Sequence, residues 1–169
     1  VADDGKLTAG KPAQAIEDRI AQVTQEAYAN GDYIFVAMDR HDEGDTFHPE
    51  TKLFPPHNIA GTSGRELYGK LASVYDAIKD DNRVFWMDKR HYSAFSGTDL
   101  DIRLRERRVT TVVLTGVLTD ICVLHTAIDA YNLGYDIEVV ASATASLTPE
   151  AHDFAIGHFK NVLGATIVE

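Results

Sequence analysis

Apolar positions change period several times along the chain, and each change marks a new element. Ile16, Ile20, Val23 and Ala27 recur at helical spacing after Pro12, which predicts a helix that Gly31 stops. Tyr33 to Met38 is then a short continuous apolar run, the pattern of a strand covered on both faces. Ser63 and Glu66 have the spacing of a capping box and predict a second helix with Leu67, Leu71, Val74 and Ile78 on its inner side. Arg83 to Met87 reads as a strand, and Thr98 with Asp101 repeats the capping pattern before a short arginine-rich helix. Thr111 to Val117 is almost wholly β-branched and is the clearest strand. A helix is expected over 120–133, ending before Gly134, and a strand over Asp136 to Ala141. Thr148 caps and Pro149 starts a helix reaching about Leu163, and Ala165 to Val168 is a last strand.

Alternation of helix and strand, with apolar strands, predicts an α/β fold. The expected form is one domain over 1–169, three layers α/β/α around a mainly parallel sheet. Such sheets bind ligands at the carboxyl ends of their strands, so chemistry is sought there. The chain opens on a helix, which in this architecture follows a strand, and Val1 is not a methionine. An N-terminal strand before Val1 is therefore expected. Residues 39–61 form a long polar connection holding three of the five prolines and three of the seven histidines. A connection that long within a compact domain is usually functional.

A net charge of −10 argues against nucleic acid or an anionic membrane surface as the main partner. No apolar run approaches the ~18 residues that would span a bilayer, and no signal peptide is visible. The single cysteine, Cys122, can form no intrachain disulfide, which suits a reducing cytoplasm. Nothing in the pattern decides whether the chain self-associates.

Two groups of residues carry candidate chemistry. Asp39 and His41 directly follow the first strand, and His57 follows two prolines sixteen residues later. Two imidazoles and a carboxylate suit a divalent metal with open positions. Glu50 could add a carboxylate directly or through water, and His48 competes for the same role. The bland alternative is a solvated acidic loop with surface histidines, and His91, His125, His152 and His158 are assigned to that class. The second group centres on Cys122. It falls in the first turn of the helix after the Thr111–Val117 strand, where free N–H groups and the helix dipole favour a thiolate and can receive an oxyanion. Lys89, at the end of the preceding strand, would lower the thiol pKa further. The alternatives are a buried core cysteine and a solvated lysine. Asp120 reads as a helix cap, and no acidic residue stands out as the base.

Four segments, Asp39-Arg40-His41, Lys52 to His57, Lys89 to Phe95 and Gly116 to Cys122, together resemble the nicotinamidases of the isochorismatase-like cysteine hydrolase superfamily, particularly the streptococcal type. The resemblance implies hydrolysis of nicotinamide to nicotinate and ammonia, a step of NAD salvage, through a cysteine thioester. It implies Cys122 as nucleophile, Lys89 as its cationic partner, and Asp39, His41, His57 and Glu50 as ligands of one divalent metal: zinc, with iron or manganese as alternatives. It implies a cis peptide between Val117 and Leu118, an oxyanion hole at the amides of Leu118 and Cys122, and aromatic walls from Phe54 and Tyr92, with Trp86 a weaker candidate. The family's catalytic aspartate is expected upstream of Val1, and a short C-terminal extension is expected as well. Three other readings remain: another amidase or an isochorismatase, which would not need this metal set; a metallohydrolase with Cys122 in the core; and a non-catalytic binding homologue.

Overall fold

The computed structural model describes residues 1–169. Two short helices come first, α1 (Gly10–Ala15) and α2 (Glu17–Asn30), separated at Ile16 and ended by Gly31. The elements β1 (Ile34–Asp39), α3 (Gly69–Ile78), β2 (Val84–Lys89), α4 (Leu100–Glu106) and β3 (Thr111–Val117) follow. A π-helical turn over Thr119–Val123 leads into α5 (Leu124–Asn132), and β4 (Asp136–Ala145), α6 (Pro149–Asn161) and β5 (Thr166–Val168) complete the chain.

All ladders are parallel. β1 pairs with β2 from Ile34 opposite Val84 to Asp39 opposite Lys89, so Asp39 and Lys89 end the ladder side by side. β3, β4 and β5 form a second sheet in that order. The expected sheet thus lies in two hydrogen-bonded pieces, because no strand among the described residues joins β1 or β2 to β3. Within the second piece the register shifts between Leu114 and Gly116, whose partners on β4 are Val139 and Thr144. Gly116 has φ +109°, a conformation side-chain-bearing residues rarely adopt, and it aims the chain into the turn that carries Cys122.

One apolar core joins α4, α5 and α6 to β4. Ile137 and Val139 pack there with Leu104, Ala127, Ala130, Ala155 and the fully buried Phe159. Val140, on the opposite side of β4 by alternation, is also buried, and α1 and α2 pack against the same strand. The helices thus cover both faces, as the apolar strands required.

Two helix starts differ from their capping patterns. Ser63–Arg65 is only a turn of 3-10 helix, and α3 begins later, at Gly69. Its first amide donor is met by a distant residue: Lys70 N donates to Glu17 Oε1 of α2 at 2.7 Å. Before α4, Thr98 Oγ1 accepts from Leu100 N at 3.3 Å, but Asp101 turns to the Tyr135 hydroxyl at 2.6 Å. Thr148 does cap α6, accepting from Ala151 N at 3.2 Å.

Gly69 tests this account of α3. It has φ +54°, and a Cβ there would lie 2.1 Å from Glu17 Oε1. Gly69→Ala must strain the backbone and displace the capping carboxylate, so a loss of about 1–2 kcal/mol is expected in urea unfolding. An unchanged midpoint would show that α3 does not depend on this contact.

Candidate active site

The long loop after β1 is folded back on its own start. His41 N donates to Asn58 O at 3.2 Å, and Ala60 N donates to His41 O at 2.8 Å, forming a single parallel bridge between His41 and Ile59. This closure sets His57 beside His41, with ring centres 4.3 Å apart. A short 3-10 turn, Pro49–Lys52, brings in Glu50 from the middle of the loop. One ligand atom from each of His41, Glu50 and His57 lies within 4.8 Å of the others, and all three residues are buried.

Each imidazole has its own orientation. His57 Nδ1 lies 3.0 Å from Pro55 O, so it carries the proton and leaves Nε2 facing Glu50 Oε2 at 3.5 Å. His48 Nδ1 accepts from Glu50 N at 3.3 Å, and its ring stacks on His41 with centres 3.7 Å apart. His41 Nε2 and His48 Nε2 are buried without any hydrogen-bond partner. An orphaned buried polar atom costs about 1–3 kcal/mol, and a divalent cation at the His41–Glu50–His57 cluster would satisfy His41. Burial, followed by neighbouring His57 and His48, pushes the His41 pKa down to about 4, so this imidazole is neutral at physiological pH, the form that ligates. Burial also raises the Glu50 pKa, with Asp39 adding to the effect.

Asp39 is not one of the three clustered ligand residues. Its carboxylate forms an ion pair with the buried Lys89 ammonium. Lys89 Nζ also donates to His91 O at 3.0 Å and lies 3.7 Å from Cys122 Sγ. A buried ammonium needs an anion at contact, and the paired ends of β1 and β2 supply Asp39. Burial works against charge on Lys89, but Cys122 and Asp39 outweigh it and its pKa is raised.

Cys122 lies in the π-helical turn Thr119–Val123, in which Ile121 N and Val123 N both donate to Leu118 O. The Val117–Leu118 peptide is cis. Burial dominates and pushes the Cys122 pKa up to about 11; Lys89 opposes this, while Asp39 and Glu50 reinforce it. The sulfur is therefore a thiol until a base removes its proton.

A cavity of about 350 Å³ flanks the cluster, lined among others by Glu50, Leu53, Tyr92, His125 and Asp129. Glu50 and Tyr92 are the residues it shares with the expected site. Phe54 is half-buried, with its amide donating to Glu50 O at 2.9 Å. Trp86 is placed elsewhere: alternation along β2 sets it with Asp88, opposite Lys89, where its Nε1 donates to Asp88 Oδ1 at 2.9 Å and its ring meets Tyr75 and Arg65. Two histidines assigned to the surface belong to the site's surroundings. His125 Nδ1 lies 2.7 Å from Ile121 O and its ring tilts against Tyr92, and His152 Nδ1 lies 3.0 Å from the Thr119 hydroxyl. The first was readable from its place one helical turn after Cys122; the second depends on a contact across the fold.

The profile of the isochorismatase domain matches residues 5–168. The chain belongs to the isochorismatase family. Among solved structures of the family, the pyrazinamidase/nicotinamidase from Streptococcus mutans is 80% identical with a TM-score of 0.98, the match covering 99% of this chain and 92% of that one. The nicotinamidase/pyrazinamidase PncA from Bacillus subtilis is 53% identical with a TM-score of 0.98, over 100% of this chain and 92% of that one. A more distant pyrazinamidase from Pyrococcus horikoshii, solved in complex with zinc, is 26% identical with a TM-score of 0.79, over 93% and 86% of the two chains. The chain is thus an isochorismatase-superfamily hydrolase, and no helix in it is long and apolar enough to cross a membrane.

The neutral His41 gives a pH signature. Unfolded, this histidine titrates near 6.5, and folded near 4, so between these values the unfolded chain binds more protons and stability falls as pH falls. The metal-free His41→Gln variant should lose stability less steeply than the metal-free parent as pH drops from 6.5 towards 4. Urea midpoints measured across that range check this, and equal slopes would contradict the buried neutral imidazole.

Proposed function

We propose that this chain is a nicotinamidase, hydrolysing nicotinamide to nicotinate and ammonia through a thioester on Cys122. The observation that carries the reading is the meeting, at the ends of separate strands, of a thiol, an ammonium 3.7 Å from it and a buried His41–Glu50–His57 cluster. The names of the streptococcal and Bacillus relatives support it. The cytoplasm, where a free thiol stays reduced, suits a step of NAD salvage.

His41, Glu50 and His57 would hold the metal. Asp39, whose charge acts on both His41 and Glu50, is the remaining candidate ligand. Imidazole and carboxylate donors suit zinc, iron or manganese, and the zinc complex of the distant relative favours zinc. When bound, the cation supplies a Lewis acid that holds the pyridine nitrogen. Tyr92 and Phe54 would wall the ring, leaving the carboxamide at Cys122.

Cys122 first loses its proton. Its high resting pKa means that a base must act, the role that the family resemblance gives to an aspartate. The sulfur then attacks the carbonyl carbon, and the amides of Leu118 and Cys122 receive the oxygen as it becomes negative. The base returns the proton to nitrogen, ammonia leaves, and water hydrolyses the thioester to nicotinate and the free thiol. Lys89 keeps its charge throughout and stabilises both thiolate and carboxylate.

Ammonia release from nicotinamide by the full-length protein tests this. Cys122→Ala should lower kcat by on the order of 10³-fold or more while zinc still binds. Stripping the metal with a chelator should remove activity, and zinc should restore it. Undiminished turnover by the cysteine variant would rule out the thioester route and favour attack by a metal-activated water.

A further inference from the structure

The turn that carries Cys122 is anchored from behind by two contacts that the reaction described above does not use. Thr119 is fully buried, and its hydroxyl lies 3.0 Å from His152 Nδ1 in the first turn of α6. Next to it, Asp120 Oδ1 accepts from Ser146 Oγ at 2.6 Å, and Ser146 is a buried residue just past the end of β4. The anchors come from the start of α6 and from the short stretch that joins β4 to it. That stretch is itself fixed: Thr148 caps α6 at Ala151 N, His152 N donates to Thr148 O at 3.2 Å, and Ala155 and Phe159 seat the helix in the core with no exposure.

We propose that His152 is a positioning residue for the oxyanion turn, acting through Thr119, with Ser146 as a second anchor acting through Asp120. This rests on the cysteine mechanism given above. Thr119 and Asp120 lie between Leu118 and Cys122, whose amides receive the oxyanion in that mechanism. Donors of this kind work only when their direction is set before charge develops, because reorganisation during the reaction forfeits the gain. The main chain closes on itself where Ile121 N and Val123 N share Leu118 O, at 3.1 and 3.2 Å, but that closure fixes the turn's shape and not its tilt towards substrate. Two side-chain anchors at adjacent residues, both tied to α6 and the end of β4, set the tilt. Neither His152 nor Ser146 belongs to the metal cluster or lines the cavity, so the effect expected of them is on kcat and not on KM.

His152→Leu removes the hydrogen bond, whereas His152→Asn keeps an amide near the place of Nδ1. In the full-length, zinc-loaded protein, His152→Leu should lower kcat for nicotinamide about 10- to 100-fold with KM within about twofold, and His152→Asn should recover most of the loss. Pyridine-3-carbaldehyde gives an independent readout. Its carbonyl carbon bonds to the Cys122 sulfur, the thiol proton ends on the carbonyl oxygen, and that oxygen faces the same two amides. Its affinity should fall in step with kcat, while that of nicotinate, which forms no such bond, should not. A His152→Leu protein with parental kcat, or one that weakens aldehyde and nicotinate equally, overturns the inference. Ser146→Ala carries the same test if His152→Leu does not fold. A parent protein that does not hydrolyse nicotinamide would instead sink the proposed function, and this inference with it.

Discussion

A buried ammonium at the end of β2 is the constraint around which the site is arranged. Lys89 is 5% exposed, and such a charge is tolerated only with an anion at contact and its other donors satisfied. Parallel pairing of β1 and β2 in register delivers Asp39 to that position, and the chain just beyond delivers the His91 carbonyl. The third neighbour is Cys122, in the turn that follows β3. Lys89 therefore links the end of β2 to that turn. Its loss would leave Asp39 an unpaired carboxylate close to Glu50, and would deprive Cys122 of the one nearby group that favours its thiolate.

Charge is ordered across the site with the same logic. On one side, burial holds His41 neutral, lowers the His48 pKa and raises that of Glu50. On the other, the Lys89 charge is retained and the Cys122 thiol is held protonated. In the proposed reaction, a cation at the imidazoles and a proton acceptor for the thiol would answer these two conditions.

Much of this was legible from residue pattern. Near-continuous apolar runs identify buried strands because both faces of a parallel sheet are covered, and β1, β2 and β3 begin within a residue of the positions their runs predict. The cluster of His41, Glu50 and His57 was visible as residue types within one polar loop. The ion pair of Asp39 with Lys89 was not, because alternation along a strand says which side a residue leaves from and nothing about an ammonium on the next strand. The Cys122 environment is only half readable for a related reason: helix start and a neighbouring lysine can be read from sequence, but the burial that opposes them cannot. The start of α3 was misjudged because Glu17, fifty-three residues before Lys70, does the work assigned to Ser63 and Glu66. Local patterns report local hydrogen bonding, and they lose authority wherever a distant side chain reaches the same backbone group.

Distant contacts of this kind also relate the end of β2 to the turn that follows β3. Thr126 on α5 is the clearest case. Its hydroxyl accepts from Ala94 N at 3.0 Å, in the segment following Lys89, and donates to Cys122 O at 2.7 Å. One hydroxyl thus ties the chain that carries the ammonium to the chain that carries the thiol. The Lys89–Cys122 contact alone could not do this, since a lysine side chain has four rotatable bonds and a sulfur is a weak acceptor. A short, stiff threonine bonded at both ends converts that loose contact into a defined one, and the chemistry proposed for Cys122 depends on the distance being defined.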